Sequence, residues 1–118
     1  MSFCWCTVHV KDIDASIKFY EEIVGLKVAQ RFGAGAMEIA FLGSGETKLE
    51  LIGGGGGEVY QGQGISIGFT VDDLDAQLKF VKEKGIAIYR EPMSPNPKTR
   101  FFFVQDPDGL SVQFVELK

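Results

Sequence analysis

Histidine and tryptophan occur once each in this sequence, at His9 and Trp5, and cysteine only twice, at Cys4 and Cys6. Each scarcity excludes something. The string Gly64-Ile-Ser66-Ile-Gly68 matches the nucleophile elbow of serine hydrolases. That elbow needs a strand-to-helix turn and a later histidine, whereas Ser66 lies in an alternating strand and His9 precedes it. Two cysteines two positions apart on one strand cannot form an unstrained bridge, so they are expected as small buried hydrophobes in a reducing compartment. No apolar run approaches the ~20 residues of a membrane span, and the opening MSFCWCTVHV lacks the basic start and long apolar stretch of a secretion signal. Basic residues are also few. Twelve Lys and Arg against 16 Asp and Glu leave a net charge of −4, with no basic stripe to neutralise phosphates. A soluble, cytoplasmic protein is expected, with neither membrane nor nucleic acid as partner.

The 118 residues, 45% of them hydrophobic and 24% charged, leave room for one domain or for two half-sized modules sharing a core. A chain of this length buries roughly two-thirds of its unfolded surface and folds without a disulfide or a metal. A repeat decides how the length is used. Val10–Glu22 laid over Val71–Glu83, an offset of 61, gives identity at seven of thirteen positions: Val, Asp, Asp, Ala, Lys, Phe and Glu. The pairs Ile13/Leu74 and Ile17/Leu78 keep their apolar character, and Gly25-Leu-Lys-Val28 answers Gly85-Ile-Ala-Ile88. A period near 60 that occurs only twice indicates duplication of one supersecondary module.

Periodicity assigns the elements of each module. A strand ends at Val8-His9-Val10, and Asp12 or Asp14 caps a helix whose Ile13, Ile17, Phe19, Tyr20 and Ile23 recur at helical spacing until Gly25 stops it. Leu26–Phe32, Met37–Leu42 and Lys48–Ile52 follow as strands. In the second half, Ile65–Val71 predicts a strand, Leu74–Lys84 a helix, and Ile86–Arg90, Arg100–Gln105 and Ser111–Leu117 three strands, with Asp106-Pro-Asp-Gly109 as a turn. The result is an α+β chain with the order βαβββ twice: modules 1–53 and 64–118, joined by a Gly-rich linker, 54–63. The linker lacks the following helix and lysine of a phosphate loop, and flexibility there lets the halves pair within one chain or swap between two.

Alternation divides each sheet into two faces. Cys4, Cys6, Val8 and Val10 oppose Trp5, Thr7 and His9, while Ile65, Ile67, Phe69 and Val71 oppose Ser66, Gly68 and Thr70. The apolar face is where helices dock. The other face collects Trp5, Thr7, His9, Glu50, Ser66 and Gln113, and counting back from the Asp106 turn adds Phe101 and Phe103. Aromatic rings among polar groups suit a small-molecule pocket better than a wet surface.

The strings His9-Val-Lys-Asp-Ile-Asp-Ala-Ser-Ile-Lys-Phe-Tyr…Gly25-Leu and Phe103-Val-Gln-Asp-Pro-Asp-Gly-Leu-Ser-Val-Gln-Phe resemble the vicinal oxygen chelate superfamily, over essentially the whole chain. That superfamily includes glyoxalase I, bleomycin-resistance proteins, fosfomycin-resistance enzymes and extradiol dioxygenases. The resemblance implies two βαβββ modules forming a cupped mixed sheet around one cleft, in a homodimer. It also implies four metal ligands, His and Glu from each module. Those positions hold Trp5, Glu50, Ser66 and Gln113 here, so only Glu50 keeps the expected donor.

Indole has no lone pair to offer, a neutral hydroxyl is a poor ligand, and an amide oxygen suits hard cations better than Zn or Ni. His9 lies four residues from Trp5, about 13 Å along the strand at ~3.3 Å per residue, too far to substitute. In glyoxalase I the last carboxylate is also the base, a role Gln113 cannot fill. No cofactor is therefore expected, and a divalent Zn, Ni or Mn ion only if this ligand argument fails. The expected function is metal-independent binding or sequestration of a small molecule by Trp5, Thr7, His9, Ser66, Phe101, Phe103 and Gln113. The alternative is a glyoxalase-like lyase or isomerase, or a dioxygenase-related enzyme, with Glu50 as catalytic base. A third possibility is a module that mainly mediates association through its sheet edges.

Overall fold

In the computed structural model, which describes residues 1–118, each helix begins where an aspartate carboxylate replaces a missing backbone partner. Asp12, not Asp14, caps α1 (Ile13–Phe19), accepting a hydrogen bond from the Ala15 N–H at 3.2 Å. Asp14 sits in the first turn, where its charge meets the positive end of the helix dipole. The chain widens into a π-helical turn over Tyr20–Val24, which Gly25 closes at φ +84°. The second half repeats the device: Asp73 accepts from the Ala76 N–H at 3.1 Å and starts α2 (Leu74–Glu83), and Gly85 at φ +77° follows. Buried Glu116 adds to this cap by accepting the Leu74 N–H at 2.8 Å.

The chain comprises two units, Met1–Gln61 and Gly62–Lys118. The first holds β1 (Trp5–Val10), β2 (Val28–Ala34), β3 (Met37–Leu42) and β4 (Lys48–Gly54) in the spatial order β1-β4-β3-β2. The second holds β5 (Ser66–Thr70), β6 (Arg90–Asn96), β7 (Thr99–Gln105) and β8 (Ser111–Leu117) in the matching order β5-β8-β7-β6. In each sheet the first and last strands pair in parallel and the remaining pairs are antiparallel. The order βαβββ, expected twice, is present twice.

Two strands differ from the periodicity. The stretch Ile86–Tyr89 is not a strand, and β6 begins only at Arg90, running on through Pro92 and Pro95. Proline removes a ladder donor, which an edge strand tolerates, and the β6–β7 register shifts on both sides of Met93. Likewise β2 starts at Val28 instead of Leu26, because the Leu26 N–H is held by the Tyr20 carbonyl at 2.9 Å in closing the helix.

Each sheet buries one face, but on β1 that burial starts only at Val8: Cys4, expected to be buried, is exposed and Cys6 is half-buried. In the first unit Val8, Val10, Ala40, Leu42, Leu49 and Leu51 lie under Ile13, Ile17 and Tyr20; in the second, Phe102, Val104, Val112 and Phe114 lie with Leu74 and Val81. Each large side chain so buried contributes about 1.5–3 kcal/mol. The helix approaches β4 closely at one point: a Cβ on buried Gly53 would stand 2.9 Å from the Ile13 Cβ. Gly53→Ala should therefore push α1 outward and cost about 1–3 kcal/mol, read as a lowered midpoint in urea. An unchanged midpoint would show that helix and sheet are not in contact there.

Candidate functional site on the open faces of the sheets

In the first unit the parallel register pairs Trp5 with Lys48, Thr7 with Glu50 and His9 with Ile52. The antiparallel registers carry the same ranks onward, Glu50 to Phe41 to Gln30, and Ile52 to Ile39 to Phe32. Trp5, Thr7, His9 and Glu50 thus share one face, as alternation predicted. The Thr7 hydroxyl donates to Glu50 Oε1. Trp5, 51% exposed, meets Phe41 edge-on with ring centroids 5.4 Å apart, and Phe32 stacks with Phe41 at 6.4 Å. A groove of about 340 Å³ opens beside them, lined by Trp5, Phe41, Gln30, Lys48, Cys4, Ala29 and Glu46.

The second unit presents an equivalent face. Its ranks run Ser66–Ser111 and Gly68–Gln113–Phe103–Arg90, with Phe101 opposite Val115. Ser66, Gln113, Phe101 and Phe103 therefore share a face too, and the two phenylalanine rings meet at 5.9 Å in a T. A smaller hollow of about 190 Å³ is lined by Ser66, Ser111, Phe103, Tyr89 and Arg90, among others, with the Arg90 guanidinium 5.1 Å from the Tyr89 ring.

The internal symmetry is strict at the positions that matter. Trp5 stands on β1 as Ser66 stands on β5, and Glu50 on β4 as Gln113 on β8, since Trp5 pairs with Lys48 and Ser66 with Ser111. The donors at these four positions are an indole, a carboxylate, a hydroxyl and an amide. No group of three or more His, Cys, Asp or Glu side chains lies close enough together to hold a metal ion. Sequence reasoning missed Phe41, Phe32 and Arg90. Phe41 is signalled by its alternation with Ala40 and Leu42; Arg90 is the end of the expected strand Ile86–Arg90 but the first residue of β6.

The far end of the first face is covered locally. Gly54, Gly55 and Gly56 turn at φ +75°, +71° and +75°, a left-handed path that side chains resist, and bring Gly57 onto the His9 ring. The Tyr60 N–H then donates to the His9 carbonyl at 3.3 Å.

Duplicated βαβββ units, each with a helix-covered face and an open polar–aromatic one, define a paired-module α+β protein of the vicinal oxygen chelate type. The chain belongs to the Glyoxalase/Bleomycin resistance protein/Dioxygenase superfamily, whose family model matches residues 2–114. It is 34% identical to the uncharacterized protein YwbC of Bacillus subtilis, over 92% of both chains. It is 32% identical to the lactoylglutathione lyase of Neisseria meningitidis serogroup A, covering 94% of this chain and 87% of that protein. Among solved structures it superposes on the trypanothione-dependent glyoxalase I of Leishmania major with a TM-score of 0.84 at 27% identity, over 98% of this chain and 86% of that one. A maize glyoxalase I variant matches with a TM-score of 0.83 at 30% identity, but 96% of this chain spans only 43% of it. TnmS3, an antibiotic binding protein from Streptomyces, shares the fold at a TM-score of 0.83 and 21% identity, over 100% of this chain and 97% of that one.

A Cβ at Gly57 would lie 2.5 Å from His9 Nδ1. Gly57→Ala should therefore displace the imidazole and move its proton and nitrogen resonances, whereas Gly33→Ala, with nothing nearer than 4.0 Å, should leave them in place. Resonances indifferent to both changes would mean that the glycine turn does not rest on His9 in solution.

Proposed function

We propose that this protein binds a small organic molecule on the open faces of its sheets, without a metal ion and without transforming it. The observation that supports this is the donor set at the four positions where the family resemblance expects His, Glu, His and Glu. Trp5 supplies an indole with no lone pair, Ser66 a neutral hydroxyl and Gln113 an amide, and Glu50 already accepts the Thr7 hydroxyl. One carboxylate and one amide are too few to hold a transition metal. The residues present do not fit the metal. The fold leaves this open, since a protein that binds an antibiotic shares it with glyoxalases. Free Cys4 and Cys6 support a cytoplasmic setting, and the family resemblance supports a homodimer.

Elemental analysis of untagged protein purified without added metal should find Zn, Ni and Mn well below one ion per chain. A panel of cationic and aromatic metabolites should contain at least one compound that raises the melting temperature by roughly 10 °C at a hundredfold excess over its Kd. A tightly held ion in every chain, or no response to any compound, would overturn the proposal.

A second reading, a lyase or isomerase with Glu50 as base, is favoured by the retained carboxylate and by the 32% identity to a lactoylglutathione lyase. On the proposal above, the protein as purified does not form lactoylglutathione from glutathione and the matching 2-oxoaldehyde. Turnover that Glu50→Gln abolishes while the fold persists would establish the enzyme instead.

A further inference from the structure

We infer that the β2 edge of the first sheet pairs with the β2 edge of a second copy of this chain, antiparallel and two-fold symmetric about Phe32. The inference does not rest on the small-molecule reading, and no outcome of its test bears on that reading.

The two sheets treat their outer edges differently. β6, the outer strand of the second sheet, carries Pro92 and Pro95 and shifts register on both sides of Met93, features that deny a further strand a straight row of donors. β2 holds the same place in the first sheet, yet it has no proline, and Ala29 to Gly33 are all exposed. From Gln30 to Ala34 its pairing with β3 is unbroken.

The hairpin fixes which backbone groups that edge offers. Only Gly35 and Ala36 separate Ala34 from Met37, so these two paired residues exchange hydrogen bonds, and alternation turns the N–H and C=O of Phe32 toward β3 as well. The same groups of Arg31 and Gly33 therefore point away from β3, and no other backbone group meets them. A second antiparallel β2 satisfies all four when the axis passes through Phe32. Arg31 of each copy then lies opposite Gly33 of the other, and four hydrogen bonds close. An axis on Arg31 would set two arginines opposite each other and match Gly33 with the irregularity at Ala29; an axis on Gly33 would match Arg31 with the turn at Gly35.

The side chains agree with that register. On the helix-covered side, Gly33 lies between Glu38 on β3 and the place that Arg31 of the second copy takes, with no side chain of its own in the way. Glu38 gives only Oε2 to Arg31 of its own chain, which leaves Oε1 to accept from the incoming guanidinium. On the open side Phe32, 40% exposed, meets Phe32 of the second copy as a cross-strand aromatic pair. Gln30 falls opposite Ala34, so no like charges face each other. Each β2 meets one other, so the contact is isologous and closes on itself, and a strand this short makes an interface of the weak, reversible class.

Hydrogen exchange of single amides, followed by NMR, reads the pairing directly. In concentrated solution the Arg31 and Gly33 N–H groups should exchange roughly tenfold more slowly than in dilute solution. Phe32→Glu and Phe32→Lys each set like charges across the axis, and circular dichroism checks that both variants remain folded. Either variant alone should lose the concentration-dependent protection and sediment as a lighter species than the unaltered protein. An equimolar mixture of the two should regain both the protection and the mass. Exchange at Arg31 and Gly33 that ignores concentration, protection of only one of the two, protection that survives in either variant alone, or a mixture that behaves as the sum of its components would overturn the inference.

Discussion

Parallel pairing of the first and last strands of each unit, β1 with β4 and β5 with β8, is the constraint on which the chemistry of this protein rests. A side-chain period of two makes a register absolute: once Thr7 faces Glu50, every second residue of both strands is committed to the same side. The helix that connects β1 to β2 occupies the opposite side, and its close seat on Gly53 shows how little freedom remains. The open face is therefore what is left after the core is satisfied. Its composition is free to change without altering the fold.

That separation explains how a scaffold shared with glyoxalases accommodates so different a set of side chains. Valine, leucine and phenylalanine on the covered faces keep the hydrophobic stabilisation, while Trp5, Glu50, Ser66 and Gln113 stand outside it and can vary at small cost in stability. Duplication reinforces the point. The two helices begin alike, with an aspartate accepting from the third residue onward, yet the open faces have diverged, one aromatic and acidic, the other built on Ser66, Gln113 and paired phenylalanines.

Much of this was legible in the linear chain because it depends on local rules. An aspartate start for the first helix, at Asp12 or Asp14, the glycine stops and the face assignments of Thr7, Glu50, Phe101 and Phe103 follow from neighbours a few residues away. Local rules failed at β6, where Pro92 and Pro95 hide an edge strand whose partner, β7, lies on the other side of a hairpin. They also passed over Phe41, whose importance comes from rings at Trp5 and Phe32 that lie on separate strands.

The chain's own order of residues was enough to settle the duplicated βαβββ plan and which side chains leave each sheet on which side, because caps, turns and alternation act over short distances. Only tertiary structure decided which strands are neighbours, and with that the Thr7–Glu50 hydrogen bond and the Trp5–Phe41–Phe32 row. The physical reason is that pairing across more than forty residues is chosen by burial of the whole apolar face. No short stretch of sequence carries that choice.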